Sequence, residues 1–597
     1  MTRRYRRLPF GAEIIPGAGV RFRFHAPALD EAAVVLADGV RIPMLRSEKG
    51  IFETVVANAE AGSLYRYEIG AGEAVPDPAS RFQPEDVDGP SEVVDSFDYE
   101  WGDKVWRGRP WNEAIVYELH VGCFDRSGGY NGVQRRLDHF ERLGVTAIEL
   151  MPVADFAGAR NWGYDGVLPY APDSAYGRPN DLKRLIDACH ARGLMVLLDV
   201  VYNHFGPSGN YLARARYAPD FFHPDAHTPW GAALAFDNPL LRRFFIENAL
   251  YWLEEYHFDG LRLDAVHAIE DSPGGADFLR ELAERVRGEI RDREVHLILE
   301  NDRNEARWLP HAAPPRHYTA QWNDDFHHAA HCAVTDERDG YYGDYAERPA
   351  QYLARAIAEG FAYQGERSAF RDNSTRGEQS AKVLPIAFVN FLQNHDQIGN
   401  RAFGERFTEL AAPESLRALY VLLFLSPGVP LLFMGEEWAA GTPFLYFCDF
   451  PGELGAAVRE GRRKEFDRFA AFRDPEARAR IPDPTARVTF LRSRLDWDEL
   501  HAPLHAEWLA FISELIACRR RELVPQLAQT GAGVWRMLGE AAFAIEWPLA
   551  RGHWRLAANL DGEPVNAPAE AGRLVYGDPA NADVELAPWS VRVLVDE

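Results

Sequence analysis

Apolar and polar residues alternate in short runs over the first hundred positions. The runs at residues 20–24, 33–36 and 65–69 are rich in β-branched and aromatic side chains and are separated by Gly, Pro and Asp. Because successive side chains of a strand point to opposite faces, this alternation predicts strands with one buried face. We therefore predict a small immunoglobulin-like β-sandwich, followed by a connection rich in Pro and Asp at residues 76–90.

After Trp111 the pattern changes to almost fully apolar runs separated by stretches of helical periodicity. In one such unit a helix between Asn180, its predicted cap, and Gly193, its predicted stop, precedes the apolar run at residues 195–199. Asn238 before Pro239 is predicted to open another helix. Eight apolar runs occur, near residues 116–121, 147–152, 195–199, 260–264, 296–300, 319–322, 388–393 and 430–434. Eight alternating strand and helix units predict a (β/α)8 TIM barrel.

Alternation returns near the C-terminus, where Phe543, Ile545 and Trp547 share one face of a predicted strand. From about residue 526 the helical periodicity is lost. The sequence thus predicts three domains: a β-sandwich with its linker at 1–104, a catalytic barrel with loop insertions at 105–525, and a small antiparallel β domain at 526–597.

Composition and charge exclude several classes of protein. The chain of 597 residues is 47% hydrophobic and 26% charged, which is typical of globular proteins. Its formal net charge of -25 repels nucleic acid and anionic lipid, so we expect neither as a partner. No run of about 18 apolar residues is present, so we expect no membrane span.

The cysteines and the N-terminus indicate a compartment. The five Cys are odd in number, far apart and without metal-binding spacing, so we expect no disulfide framework and no zinc site. The basic N-terminal segment lacks the apolar stretch of a signal peptide. Together these features predict a cytoplasmic protein.

Four carboxylic acids close or follow apolar runs of the predicted barrel, namely Asp199, Asp264, Glu300 and Asp396. Active sites of such barrels lie at the carboxyl ends of the strands. A single acid at such a place is more often a helix cap, because Asp is a favoured capping residue. Four on separate strands favour a catalytic site over that structural interpretation.

The neighbours of these acids favour glycosidase chemistry. Arg262 and Asp264 share one face of a strand, so the guanidinium is expected to keep that carboxylate ionised. Apolar walls and the charge of Asp264 are expected to raise the pKa of Glu300 to that of a general acid. A raised acid beside an ionised carboxylate is the arrangement of a retaining glycosidase. His204, His267 and His395 lie beside strand ends, where each is either a sugar-binding or a structural histidine.

Four ordered motifs resemble those of the α-amylase family, glycoside hydrolase family 13. They are DVVYNH (199–204), GLRLDAVHAI (260–269), ILEND (298–302) and FLQNHDQIGN (391–400). The resemblance implies that Asp264 is the nucleophile, Glu300 the acid/base and Asp396 the third carboxylate. It implies further substrate-binding residues in or near these motifs: Tyr164 of NWGYDG, Asp199, His204, Arg262, His267, His395, Gln397 and Asn400.

Within that family the chain is most similar to the maltooligosyltrehalose trehalohydrolases, on segments such as YELHVGCF and AQWNDDFHHAAH. The resemblance implies hydrolysis of the α-1,4 bond beside a terminal trehalose unit of maltooligosyltrehalose. It also implies functional pairing with a maltooligosyltrehalose synthase. Selectivity must then reside in the plus subsites that receive trehalose, for which Asp324, Asp325, His327 and His328 are candidates.

Several alternatives stay open on the sequence. A branching enzyme or an isoamylase-type debranching enzyme shares the barrel motifs, and a non-catalytic glucan-binding protein would not need the three carboxylates. His327, His328 and His331 could suggest a metal, but they lack a carboxylate ligand pattern, and we expect no cofactor. Asn203 lies in a motif that supplies a calcium ligand in many α-amylases, so a structural calcium ion stays an alternative. Trp162, Trp230, Trp322 and Trp438 are either sugar platforms or core residues.

Overall fold

A computed structural model describes residues 8–70, 72–214, 217–228, 231–468, 472, 474–567, 571–578 and 585–596. Its N-terminal part is a β-sandwich. One sheet contains Gly11–Ile15, Gly19–His25, Ile51–Val56 and Leu45–Arg46; the other contains Arg41–Pro43, Ala32–Leu36, Leu64–Ile69, Glu73–Val75 and Ser91–Glu92. The three predicted strands lie within these segments. The sheets meet through aromatic rings, with Phe24 stacked on Tyr67 at 4.1 Å between centroids.

Eight parallel strands form a closed barrel. They are Val116–Leu119, Ala147–Leu150, Met195–Val200, Gly260–Leu263, His296–Leu299, Ala320–Trp322, Phe388–Phe391 and Val429–Phe433, paired in that order with the last strand joined to the first. Each strand lies within or overlaps an apolar run predicted from the sequence. The closed barrel confirms the prediction. The prediction succeeds because the buried runs are short and are separated by helices long enough for parallel crossover connections.

Helices surround the barrel and also build its loops. They are Gly129–Gln134, Leu137–Leu143, Pro179–His190, Tyr211–Arg214, Pro239–Glu255, Val266–Asp271, Gly275–Glu289, Asp324–Val334, Pro349–Glu359, His395–Gly399, Phe407–Leu410, Pro413–Leu425, Gly452–Glu465, Pro475–Ala479, Arg487–Arg492 and Pro503–Cys518. Asn238 caps its helix as predicted, accepting a hydrogen bond from the backbone N of Leu240 at 2.9 Å.

The predicted cap at Asn180 is wrong. That helix begins at Pro179 with Arg178 in the capping position, and Asn180 lies inside the first turn. Proline at the first helical position explains the shift, because its fixed φ favours helix initiation. The carboxylate of Asp181 accepts the backbone N–H of Arg178 at 2.9 Å, and the amide of Asn180 instead donates to Asp98.

Three hairpins rise from the connections of the barrel. They pair Ala154–Asp155 with Leu168–Pro172, Phe222–Thr228 with Gly231–Leu234, and Glu366–Ser368 with Ser374–Arg376. The last hairpin follows the sixth barrel strand. It carries Phe370 at its turn and Arg371 beside it, above the carboxyl end of the barrel, where Arg371 donates to Asp302 at 2.7 Å.

The C-terminal part is antiparallel. Its larger sheet contains Val534–Met537, Ala542–Pro548, His553–Asn559, Ser590–Asp596 and Arg573–Tyr576, and a small ladder pairs Val565–Asn566 with Glu585–Leu586. The indole of Trp554 donates to the carbonyl of Leu425 at 2.9 Å, which joins this sheet to a barrel helix. The predicted β domain is confirmed; the numerical domain boundaries stay predictions.

Candidate active site

The barrel interior changes from apolar to charged toward the carboxyl ends of the strands. Val116, Ala147, Leu197 and Ile298 belong to the apolar interior cluster, and the residues two positions later are Glu118, Glu149, Asp199 and Glu300. Since side chains two apart in a strand share a face, all four acids point inward above the apolar layer. This charged layer forms the floor of the candidate site.

Arg262 lies at the centre of that floor and is 1% exposed. Its Nη1 donates to Asp199 Oδ2 at 2.7 Å and to Asp264 Oδ1 at 2.9 Å, and its Nη2 lies 3.8 Å from Glu300 Oε2. The indole of Trp322 supports the guanidinium, 4.1 Å from Cζ to the ring centroid. One buried cation thus holds three carboxylates in fixed positions.

Asp264 follows the fourth strand directly and keeps 15% of its side chain exposed. Its second oxygen, Oδ2, accepts a hydrogen bond from the amide of Asn203 at 2.7 Å. The next residue, Ala265, has φ of 41°, an uncommon conformation for a side chain with a Cβ. This turn directs the backbone N–H of Ala265 at Glu300 Oε2, 2.5 Å away. The turn therefore couples the ends of strands four and five.

Glu300 has the protonation behaviour of an acid catalyst. Burial raises its pKa, Arg262 opposes the rise, and the charges of Asp264 and Asp396 add to it, so that the pKa reaches about 7. Its side chain is 18% exposed, so the proton remains accessible from the cleft. Asp264 and Glu300 thus combine an arginine-paired carboxylate with a neighbouring carboxylic acid, as the sequence predicts.

His395 and Asp396 begin the short helix after the seventh strand. The imidazole lies between two carboxylates: Nδ1 is 2.5 Å from Glu118 Oε1, and Nε2 is 3.5 Å from Asp396 Oδ1. Asp396 is 47% exposed and accepts a hydrogen bond from the amide of Asn400 at 3.1 Å. Gln397 is partly exposed, and its amide oxygen caps the helix by accepting the N–H of Asn394 at 3.0 Å.

Tyr164 stands opposite this helix. Its ring stacks on His395 at 5.1 Å, and its hydroxyl donates to Asp199 at 2.6 Å. The preceding residue, Gly163, allows the chain to pass close to Pro152, because a Cβ at position 163 would lie 2.1 Å from the carbonyl oxygen of Pro152. Asp199 itself is 2% exposed, and its contacts with Tyr164 and Arg262 place it beneath the cleft.

Two further histidines of the motifs border the site. His204 is buried at 6% exposure, and its Nδ1 contacts the amide oxygen of Asn203. His267 is 21% exposed, with Nδ1 3.7 Å from Asp302 Oδ1. His204 is therefore largely buried beside Asn203, whereas His267 is partly exposed.

The four residues predicted for the plus subsites separate into two pairs. Asp325 and His327 point into the protein. Asp325 accepts hydrogen bonds from Asn304, from the backbone of Ala362 and Tyr363, and from Tyr345, and pairs with Arg376 at 2.8 Å. His327 contacts the carbonyl of Leu392 at 2.6 Å and the hydroxyl of Tyr342 at 2.9 Å. Both side chains therefore hold loops together and do not line the cleft.

Asp324 and His328 differ from that pair: Asp324 lies near the catalytic acids, and His328, at 9% exposure, packs against Tyr341. Asp324 is partly exposed and makes no side-chain hydrogen bond within the described part of the chain; burial and the charge of Glu300 raise its pKa to about 8. His328 lies 4.4 Å from the ring of Tyr341, between centroids. Tyr341 is 38% exposed and lies near Asp396 and Asp324. Asp324 and Tyr341 thus border the site, and His328 supports Tyr341 from within.

The sequence interpretation missed Glu118, Tyr341 and Phe370, and it considered Asn203 only as a calcium ligand. Glu118 and Asn203 hold His395 and Asp264 through the hydrogen bonds above. Tyr341 and Phe370 are large aromatic side chains, 38% and 49% exposed, with ring centroids 6.1 Å apart. Glu118 could have been found as a carboxylate inside an apolar run, but no local pattern distinguishes the two aromatic residues.

The tryptophans differ in environment. Trp322 lies beneath Arg262, Trp438 is fully buried, and Trp162 stacks on Phe444 at 5.4 Å, so all three are packing residues. Trp230 lies outside the described residues.

Among the described residues, no cluster of three or more His, Cys, Asp or Glu side chains has the geometry to hold a metal ion. Asn203, the candidate calcium ligand, uses both ends of its amide within the protein, with Oδ1 at His204 and Nδ2 at Asp264. The residues present therefore do not fit a calcium ion at this position.

Comparison with known proteins agrees with the geometry. Residues 95–230 match the model of the alpha amylase catalytic domain, and residues 530–593 match a C-terminal domain of unknown function, DUF3459. The fold and the site define a glycoside hydrolase of the α-amylase family.

Curated relatives narrow the assignment. The chain is 42% identical to a malto-oligosyltrehalose trehalohydrolase from Deinococcus radiodurans, over 87% of this chain and 84% of the relative. It is also 42% identical to one from Arthrobacter ramosus, over 94% and 96%. The chain belongs to the family of the malto-oligosyltrehalose trehalohydrolases.

A solved structure shares the whole architecture. A crystal structure provisionally described as an alpha amylase from Salmonella typhimurium superposes with a TM-score of 0.94 at 44% identity, covering 98% of this chain and 99% of that one. A pullulanase from Paenibacillus barengoltzii, at 22% identity and a TM-score of 0.70, shares the fold. In the part of the chain that is described, no helix is both long and apolar enough to span a bilayer.

Proposed function

We propose that this protein hydrolyses the α-1,4-glucosidic bond next to the terminal trehalose unit of maltooligosyltrehalose and releases trehalose. The proposal is carried by the position of the Arg262 guanidinium. Its Nη1 lies 2.9 Å from Asp264 Oδ1, and its Nη2 lies 3.8 Å from Glu300 Oε2. This buried cation lies between an accessible carboxylate, Asp264, and a carboxylic acid with a pKa of about 7, Glu300. These are the two groups that a retaining glycosidase needs.

The reaction then proceeds in two displacements. Glu300 donates its proton to the glycosidic oxygen as Asp264 attacks the anomeric carbon, forming a β-glucosyl-enzyme and releasing trehalose. The Glu300 carboxylate next takes a proton from water, which attacks the same carbon and frees Asp264. Two inversions retain the α configuration of the new reducing end. Asp396, with Asn400 beside it, is placed to bind ring hydroxyls of the −1 sugar.

Selectivity for trehalose is assigned to the wall formed by Asp324, His328, Tyr341 and Phe370. The −1 sugar of every α-1,4-glucan is alike, so discrimination requires contacts on the leaving group. Exposed aromatic rings offer apolar area to the faces of glucose rings, and the acidic and imidazole groups offer hydrogen bonds to hydroxyls. Tyr341 and Phe370 pack edge to face with centroids 6.1 Å apart, which supports a continuous aromatic surface for a sugar unit.

A branching enzyme is the second candidate. A 1,4-alpha-glucan branching enzyme from Thiobacillus denitrificans is 30% identical over 70% of this chain, although the match covers 59% of that relative. A branching enzyme transfers the glucosyl intermediate to a sugar 6-hydroxyl, whereas a hydrolase transfers it to water. The two activities therefore differ in the acceptor and share the carboxylates.

Product identification separates these activities. The full-length protein is incubated with maltopentaosyltrehalose and, separately, with amylose, with Asp264→Asn as the inactive control. We expect free trehalose and the shortened maltooligosaccharide from the first substrate. New α-1,6 branch points in amylose, without trehalose from the first substrate, would overturn the proposal.

We further propose that the enzyme acts in the cytoplasm on the product of a maltooligosyltrehalose synthase. The five cysteines are all free and buried, which suits a reducing compartment. A synthase that converts the reducing end of a glucan to an α,α-1,1 linkage would supply the substrate. Coupled assays with such a synthase and amylose should yield trehalose from both enzymes together, and from neither alone.

A further inference from the structure

Glu118 binds His395 through both of its carboxylate oxygens. Its two oxygens receive the two N–H groups of this residue: Oε1 lies 2.5 Å from Nδ1, and Oε2 accepts the backbone N–H at 3.2 Å. Both side chains are at most 2% exposed. The other ring nitrogen, Nε2, faces Asp396 Oδ1 at 3.5 Å. An imidazole with a carboxylate at each nitrogen has an acceptor for two ring protons.

A second glutamate lies beside the first. Glu149 pairs in register with Glu118 on the neighbouring strand, shares its interior face and is 2% exposed. Its Oε1 has no hydrogen-bond partner within the described part of the chain. The charged groups that face it are Glu118, Asp199, Arg262 and His395.

The charges of this floor explain how two glutamates can be buried together. Asp199 is bonded to Arg262, which it shares with Asp264 and Glu300, and Glu118 is bonded to His395, so both carboxylates contact a cation. Glu149 has none. A buried ion without a partner is strongly disfavoured, and the neighbouring Glu118 charge adds repulsion. Burial and that repulsion raise the pKa of Glu149 well above its usual range.

We propose that Glu118 is a positioning residue that keeps the imidazole of His395 doubly protonated and aimed at subsite −1, while its strand neighbour Glu149 stays in the acid form. The inference deepens the proposed hydrolysis and rests on it. A doubly protonated ring presents Nε2–H as a donor toward Asp396 and the sugar hydroxyls. A neutral ring could lose that donor to the other tautomer.

The charge of Glu118 makes the largest favourable contribution to the protonation of the His395 ring. Burial alone would lower the pKa of His395, and the nearby Arg262 lowers it further, but Glu118 and Asp396 outweigh both and raise it to about 9. Removing the charge of Glu118 while keeping its shape leaves burial and Arg262 opposed by Asp396 alone. The ring should then deprotonate at a lower pH.

The direct test is a titration of His395 in the full-length protein. Histidine is labelled with ¹³C at Cε1, and the His395 resonance is assigned by its loss in His395→Gln. In the wild type we expect this resonance to titrate with a midpoint about two pH units above that of an ordinary histidine. Glu118→Gln should lower the midpoint by at least about one unit. An unchanged midpoint would overturn the proposal.

Glu149→Gln is the matched variant, because glutamine resembles the acid form of glutamate. We expect the midpoint of His395 in this variant to equal that of the wild type. A fall of about one unit would show that Glu149 carries a negative charge in the wild type, which contradicts its assigned acid form. Glu118→Asp, which keeps the charge, should restore most of the shift lost in Glu118→Gln.

Kinetics add a readout that a purely structural role would not move. If kcat depends on the doubly protonated ring, Glu118→Gln should lower it more at pH 8 than at pH 6, by about twofold for a midpoint lowered by one unit and about tenfold for one lowered by two. Equal losses at both pH values, with wild-type titration of His395, would assign Glu118 to packing alone. Failure of the proposed function can be distinguished from failure of this proposal, because the titration of His395 can be measured even if the wild type releases no trehalose.

Discussion

The amide of Asn203 donates to Oδ2 of Asp264 over 2.7 Å, opposite the oxygen that Arg262 binds. The proposed nucleophile is thus oriented through both oxygens. We predict that Asn203→Ala lowers kcat by about 10- to 100-fold, since a hydrogen bond to a charged group contributes roughly 1.5–3 kcal/mol. Steady-state kinetics on maltooligosyltrehalose measure the loss. Wild-type kcat in the variant would exclude an orienting role.

Chelation should have no effect on this protein. Both polar ends of the Asn203 amide are engaged by Asp264 and His204, so they are not available to a calcium ion. We predict unchanged kcat and melting temperature after dialysis against EDTA. Re-addition of calcium serves as the control, and a melting temperature restored by calcium would contradict the prediction.

Asp264→Asn should abolish turnover and leave the fold intact. Asparagine keeps the shape of the side chain but cannot form the glucosyl ester, so we expect kcat to fall by at least about 10⁴-fold. Azide added to Asp264→Ala should restore some cleavage by entering the vacated position. The product of that rescue should be a β-glucosyl azide, identified by NMR. An α-glucosyl azide would be inconsistent with direct displacement at this face.

The pH profile should report Glu300. The acid form is required for the first step, and burial raises its pKa to about 7, so kcat/KM should be maximal below that pH and fall as pH rises through it. Glu300→Gln should lose this alkaline limb and about 10²- to 10⁴-fold in kcat. The same variant should lose far less kcat/KM on a fluorinated aryl α-glucoside, because that leaving group departs without a proton. An unchanged alkaline limb would assign the titration to another group.

Phe370→Ala should reduce selectivity for the trehalose end. The ring is 49% exposed and lies 6.1 Å from Tyr341, so its removal takes apolar area from the proposed plus subsites. We predict a loss of about 10- to 100-fold in kcat/KM on maltooligosyltrehalose, from roughly 1.5–3 kcal/mol of lost contact, and a smaller loss on maltoheptaose. The control is Phe97→Ala, which removes an equally exposed ring from the segment between the β-sandwich and the barrel. Parallel losses on both substrates would assign Phe370 to general glucan binding.

The barrel strands and the three carboxylates could be predicted because each depends on neighbours in the chain. Period-two alternation places Glu300 on the inner face two residues after Ile298, and the same argument applies to Arg262 and Asp264 on the adjacent strand. Apolar runs locate these strands without any knowledge of their partners. Asp325 shows where such reasoning fails: it follows a strand end like Asp264, yet the chain folds back at Ala362 and Tyr363 to bury it.

By itself, the sequence determined the order of the elements, the inward face of each strand and the identity of the acids at the strand ends, because these follow from local periodicity. Only the tertiary structure decided which groups are brought together from distant positions. It paired Glu118 with His395 and Asn203 with Asp264, and it brought Tyr341 and Phe370 into contact. Closing the barrel brings the first and seventh strands near each other, and electrostatic interactions act through space, so no sequence spacing encodes the protonation of these groups.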